Sequence, residues 1–406
     1  MVEKLVCAVS STSPVGPTCR VINTWESARA IFGERDALGK RVGSCIYLSP
    51  TYTEIWWRHY GRGRLLIVEC RCADVLVGVL PIFVSTIVAG IIPVAVARLL
   101  TSVDGIVVIT PPVEPGSARA CWAMALRAVL EAGAEVVAIG PLSGENGYSD
   151  EARAAILESG LRLCSDYSSM PHTIFNLPES MDAYYAMLDR KTRGNVKRAQ
   201  RNLQKMGVFK IRFASNSEAP VFFERFIRLH TERWNASKRL GHFGDWPGSA
   251  AFNAELVRAH AARGEAFFFE IWLDEKIVGA EYAYIYGSQL FARLPARAVG
   301  SKWDDAGLGH VIQTAMIEAA LERGVRRIQS GPGHYPNKLR AGGTEFPLIR
   351  LLASRQGIVC SVKAWALKTW STLWNYAYYR GWRARLLPKL GIKPGPLSRI
   401  WIQTRC

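Results

Sequence analysis

A chain of 406 residues, 49% hydrophobic and 21% charged, is long enough for two or three globular domains with sizeable cores. Nine cysteines form no disulfide framework and no paired C-x-x-C motif, which argues against a secreted disulfide scaffold and a structural zinc site. The net charge of +17 turns attention to anionic partners.

Met1 to Ser13 carries one Lys before a short apolar stretch, too short for a signal peptide, so a cytoplasmic protein with reduced thiols is expected. Leu65 to Arg71 reads as a strand. Val75 to Ala97 is uncharged and long enough to span a bilayer. It nevertheless holds Gly78, Pro81, Gly90 and Pro93 and is rich in Val and Ile, so a core strand, an apolar loop and another strand are expected. A helix ends at Leu130-Glu131-Ala132-Gly133, and Val136 to Gly140 follows as a strand.

From Arg190 to Arg212 there are nine Lys and Arg and no acid. On a helix, Lys191, Asn195, Arg198 and Asn202 fall in one row. The run is either a solvated face or a basic wall, including Arg193 and Arg198, over an anionic substrate such as a nucleotide sugar, a phospholipid head or tRNA. His230 and Trp234, on the helix that follows, are candidates for an acceptor pocket.

Residues 265–331 carry the densest signal. Phe267 to Leu273, Ile277 to Tyr286 and Gln289 to Ala296 are three strands joined by turns at Asp274-Glu275-Lys276 and Gly287-Ser288. A helix opens at Gly307-Leu308-Gly309-His310 and continues through Val311, Ile312, Ala315, Met316, Ala319 and Ala320. Gly324 stops it, and Val325 to Ser330 is the next strand. Glycines at a helix start expose N–H groups, and the helix dipole favours a phosphate there. In the second strand Tyr282, Tyr284 and Tyr286 share one side. Glu281 lies on the other with Gly279, Ala283 and Ile285, as a buried base or as the partner of an Arg such as Arg293. Gly331 to Lys338 is a Gly/Pro-stiffened loop presenting His334 as a base, Tyr335 as a proton donor and Lys338 as an anion or carbonyl binder.

The last segment is basic and aromatic. No acid follows Glu345, and residues 361–406 hold nine Lys and Arg with Trp365, Trp370, Trp374, Trp382 and Trp401. Leu367, Trp370, Trp374 and Tyr378 form one helical stripe, suited to a lipid headgroup layer or to packing on the preceding domain. Single-stranded RNA is a third partner for such a composition.

At an offset of 191 residues, Leu130-Glu131 and Gly133 fall on Leu321-Glu322 and Gly324, Gly116 falls on Gly307, and the flanking strands repeat in order. This argues for duplication. The strand and helix order with its glycine turn resembles the GNAT (N-acetyltransferase) superfamily. The doubling resembles Fem-type and CelD-type acyltransferases, as do Tyr52–Gly61, Leu188–Ala199 and Phe226–Trp234. Relatives often carry Tyr and Lys adjacent after the last strand; here Pro336-Asn337 separates Tyr335 from Lys338.

The resemblance implies an α/β fold of two tandem GNAT-like domains, each with a mixed, mostly antiparallel sheet: 1–176, a catalytic 177–353, and a basic Trp-rich helical tail, 354–406. It also implies acyl-coenzyme A as co-substrate, held by Leu294, Ala296, Gly307, Leu308, Gly309 and His310, and no metal. The expected activity is N-acyl transfer to the amine of an envelope, polysaccharide or lipid precursor, on the inner face of the cytoplasmic membrane. The alternatives are a Fem-type aminoacyltransferase using tRNA and a non-catalytic component of a membrane or polysaccharide complex.

Overall fold

The computed structural model describes residues 17–103 and 107–404; Met1 to Ser13 lies outside the described residues. Among the described residues twelve strands form one sheet. The first six are β1 (Thr18–Ile22), β2 (Arg64–Cys72), β3 (Val75–Ala89), β4 (Ile92–Leu99), β5 (Val136–Ser143) and β6 (Arg162–Asn176). The second six are β7 (Phe209–Phe213), β8 (Ala266–Leu273), β9 (Lys276–Tyr286), β10 (Gln289–Arg297), β11 (Arg327–Pro332) and β12 (Thr344–Ser354). Val75 to Ala97 is therefore strand, tight turn and strand. Among the described residues no helix is long and apolar enough to cross a membrane.

The duplication is visible in the ladders. In each half the first four strands are antiparallel neighbours, and the fourth pairs with the fifth in parallel: Val96–Arg98 with Val136–Ala138, and Gln289–Phe291 with Arg327–Gln329. Even the irregularities repeat. The β2–β3 ladder slips at Cys70/Arg71, with Gly78 opposite Cys70; the β8–β9 ladder slips at Ile271/Trp272, with Gly279 opposite Ile271.

The sixth strands are exchanged. The sheet runs β1-β2-β3-β4-β5-β12-β6-β11-β10-β9-β8-β7, so β12 pairs with β5 and β6 with β11. The largest apolar core likewise mixes the halves: Tyr52, Trp56 and Phe83 lie in it with Phe226, Phe252 and Tyr282. Charges add to the seam. Lys40 and Asp36 of the first half pair with Glu265 at 2.9 Å and Arg263 at 2.5 Å. Glu265 also meets the fully buried His260 at 2.8 Å.

The helix Arg190–Met206 starts on Asp189, whose carboxylate accepts from the Thr192 N–H at 2.9 Å. Its Thr192, Val196, Ala199 and Leu203 are buried at helical spacing. Val196, Ala199 and Leu203 supply the apolar part of that face, while Arg193, Lys197, Arg198 and Arg201 remain exposed.

The aromatic stripe of the tail faces the protein. In the helix Ile358–Trp374, Ala364, Ala366 and Leu367 join Ile87, Val94, Val136 and Leu352 in a third core. Trp370 and Trp374 stack at 5.7 Å, Trp374 and Tyr378 likewise at 5.7 Å, and Tyr378 meets the buried Trp401. Of the two readings of this stripe, packing on the protein is the one seen, with Trp370, Trp374 and Tyr378 half-buried.

Candidate active site

The second half opens where β10 leaves β11. Their ladder covers only Gln289 to Phe291. Beyond it β10 keeps its bond to β9 but shifts register between Ala292 and Leu294. Leu294 and Ala296, both buried, lie on the stretch that has parted from β11. Its outer edge therefore offers backbone groups to an extended ligand.

The helix Leu308–Glu322 begins beside this stretch. Gly307 has φ +81°, and a Cβ there would lie 2.8 Å from the Ala199 Cβ, so backbone conformation and close packing both require glycine. Leu308 and Gly309 contribute the first free N–H groups of the helix. Cations surround them. A Cβ on Gly309 would lie 3.4 Å from Arg297 Nη1. Burial lowers the pKa of half-buried His310, and Arg340 and Arg198 lower it further. Burial lowers that of Arg297 as well, then Arg233, while Asp304 at 2.8 Å opposes. A polyphosphate would relieve this crowding of positive charge.

Glu281 lies on β9, 4% exposed, on the sheet face away from the tyrosines. Burial pushes its carboxyl up to about 8, and the Lys338 ammonium opposes that rise. Burial pulls Lys338 down to about 8, and Glu281, then Glu345, hold it up. Arg293 lies over the Tyr47 ring at 5.3 Å, on the tyrosine side, so the charge facing Glu281 is Lys338.

The turn of helix Pro336–Arg340 reunites the separated Tyr335 and Lys338. Lys338 Nζ sits 4.4 Å from the Tyr335 ring centroid and donates to the Ser330 carbonyl at 2.6 Å. His334 is exposed and pairs at 2.9 Å with Glu345, the carboxylate that also faces Lys338.

His230 is buried, accepts from Trp234 Nε1 at 2.9 Å and stacks on Phe226. Burial, then His242, pushes its pKa down to about 3. It is a neutral core histidine, and Trp234 holds it. Arg193 is exposed on the outer side of its helix, whereas Arg198 reaches the His310 turn.

A cavity of about 380 Å³ lies between the first half, Trp246 to Gly248 and the C-terminal segment. Trp56, Tyr60 and Phe83 wall it, with Arg62, Arg98 and Arg399 around them. Arg98 is held by Ser85 Oγ at 3.2 Å and the Gln403 carbonyl at 2.7 Å. Trp56 and Tyr60 belong to the Tyr52–Gly61 stretch singled out in the sequence, but Arg62, Arg98 and Arg399 did not stand out, nor did Arg297 or Arg340. The one available signal was Gly61-Arg62-Gly63-Arg64, two arginines set among glycines at the start of a strand.

The first half lacks counterparts of Glu281 and of the Gly307 turn. With Gly78 equivalent to Gly279, Leu80 stands where Glu281 stands, opposite Val68 as Glu281 is opposite Phe269. Gly116 sits in a short turn, Pro115–Ser117, without the positive φ of Gly307.

Residues 190–339 match the family described as the acetyltransferase (GNAT) domain. A comparison with curated proteins gives no match. Among solved structures, the chain is similar to the crystal structure of FemX at 11% identity, over 82% of this chain and 96% of that one, with a TM-score of 0.59. L-PGS from Bacillus licheniformis is 11% identical over 82% and 94% of the two chains, with a TM-score of 0.49. The tandem GNAT protein from the clavulanic acid biosynthesis pathway is 12% identical over 84% and 100%, with a TM-score of 0.43. Residues 190–339 thus match a GNAT acetyltransferase domain, and the fold of the whole chain is similar to that of FemX.

Proposed function

We propose that residues 177–353 transfer an acyl group from acyl-coenzyme A to the amine of an envelope, polysaccharide or lipid precursor, at the inner face of the cytoplasmic membrane. The observation that carries this reading is the Glu281–Lys338 pair beside a cation-ringed glycine turn. The donor's pyrophosphate rests on the N–H groups of Leu308 and Gly309, with Arg297 and Arg198 as counter-charges. Its pantetheine arm follows the free edge of β10 past Ala296 and Leu294. The amine gives a proton to the Glu281 carboxylate and attacks the thioester carbonyl. The C–N bond forms, the C–S bond breaks, and the thiolate takes a proton from the Lys338 ammonium. The cavity lined by Arg62, Arg98 and Arg399 suits an acceptor carrying negative charge.

One observation favours a second donor. The exposed Arg193, Lys197, Arg198 and Arg201 would also suit the backbone of an aminoacyl-tRNA. Binding and turnover assays with acetyl- and longer acyl-coenzyme A, set beside charged tRNA, separate the two. The proposal requires saturable coenzyme A binding and turnover that falls at least about tenfold, ~1.4 kcal/mol in barrier, in Glu281→Gln. Turnover with charged tRNA alone would replace acyl-coenzyme A as donor.

A further inference from the structure

The C-terminal helix has a second apolar face. Ile358, Val362, Trp365 and Leu373 lie on the side opposite Ala364, Leu367 and Trp374, and all four are exposed, Trp365 by 67%. A distant element adds to it. The end of β3 carries the exposed Val88, and the turn to β4 carries Ile91, which is 94% exposed. Gly90 of that turn lies against the Trp370 ring, so the hairpin tip touches the flank of the helix. Tight turns facing water usually carry polar residues, and this one is Gly90-Ile91. Lys368, Arg380, Arg385, Lys389, Lys393 and Arg399 are exposed in the same segment, where the sequence has no acid.

We infer that the hairpin tip 88–91 and the outer face of Ile358–Trp374 form one docking surface for an anionic lipid bilayer, with Ile91 and Trp365 entering the interfacial layer. The inference rests on the membrane location proposed above and specifies the face. Charge favours lipid over a second copy of the chain, because a two-fold contact would oppose the same cations. The exposed apolar residues are mainly aliphatic and suit acyl chains better than nucleic-acid bases, which stack on rings. Docking here also brings the arginine-lined cavity toward the bilayer, since Ser85, Thr86 and Ile87 of the same hairpin and Arg399 of the tail line it.

The test is co-sedimentation of the full chain with vesicles of phosphatidylcholine, with and without phosphatidylglycerol. The double variant Ile91→Ser, Trp365→Ser is expected to lose about tenfold or more in affinity for the anionic vesicles, with coenzyme A binding and melting temperature unchanged. Lys389→Glu with Lys393→Glu should weaken binding and flatten its salt dependence, leaving the apolar part. If the intact chain binds anionic vesicles and the apolar variant binds equally well, the face is wrongly assigned although the membrane location stands. If the intact chain ignores anionic vesicles at low salt, the membrane location fails and this surface with it. A dimer broken by the apolar variant would give the face to a second copy instead.

Discussion

Glu281 and Lys338 perturb each other in opposite senses, and the rate should show it. Glu281 acts as base when deprotonated, so kcat/KM should rise through about 8. Lys338 acts as acid when protonated, so the rate should fall again above about 8. The two limbs nearly coincide, giving a narrow bell that belongs to the pair. Lys338→Ala should abolish the falling limb. It also removes the cation that holds Glu281 down, so the rising limb should move to higher pH. Glu281→Gln should abolish the rising limb, and Lys338, losing the charge that holds it up, should titrate at lower pH. Profiles of the three proteins check both shifts. A profile for Lys338→Ala identical to that of the parent would take Lys338 out of the reaction. The carboxylate was legible in the sequence, because strict alternation along Ile277 to Tyr286 separates it from three tyrosines. Its partner was not: Arg293 is nearer in the chain, but the β10 register shift leaves it on the Tyr47 side.

The elements that read most clearly are those whose period is clean. Three hairpin strands and the glycine-started helix appear close to their expected bounds because local alternation and turn residues decide them. β6 is different. Arg162–Asn176 holds Ser165, Asp166, Ser168, Ser169 and Pro171 and shows no alternation, yet it is central in the sheet. Its neighbours β11 and β12, far away in sequence, make it a strand. The helix Leu308–Glu322 provides the prediction at this scale. Gly309→Glu should block the N–H groups, repel phosphate and lower coenzyme A affinity by about tenfold or more, without unfolding the chain. Gly307→Val should destabilise as well, by about 1–3 kcal/mol, since its Cβ meets Ala199 in a left-handed backbone. Isothermal titration and thermal melts separate the two effects. Unchanged coenzyme A affinity in Gly309→Glu would move the pyrophosphate elsewhere.

At the scale of the whole molecule, duplication was legible and the exchange of sixth strands was not, because pairing partners are set by long-range packing. The exchange makes the halves interdependent. Cut between Leu177 and Ser180, the chain should give two fragments that are insoluble alone, each presenting an unpaired strand edge. Expressed together they should recover one soluble complex with a single melting transition. A second fragment that folds and binds coenzyme A alone would show that β6 is dispensable. The exchange also orders events on the ribosome. β5 leaves the exit tunnel about 200 residues before β12, its neighbour in the finished sheet, so at ~5–20 residues per second it waits about 10–40 s half-paired. Synthesis that stops after Asn176 and before Thr344 leaves that gap open in the first half, although every residue of that half has already been made.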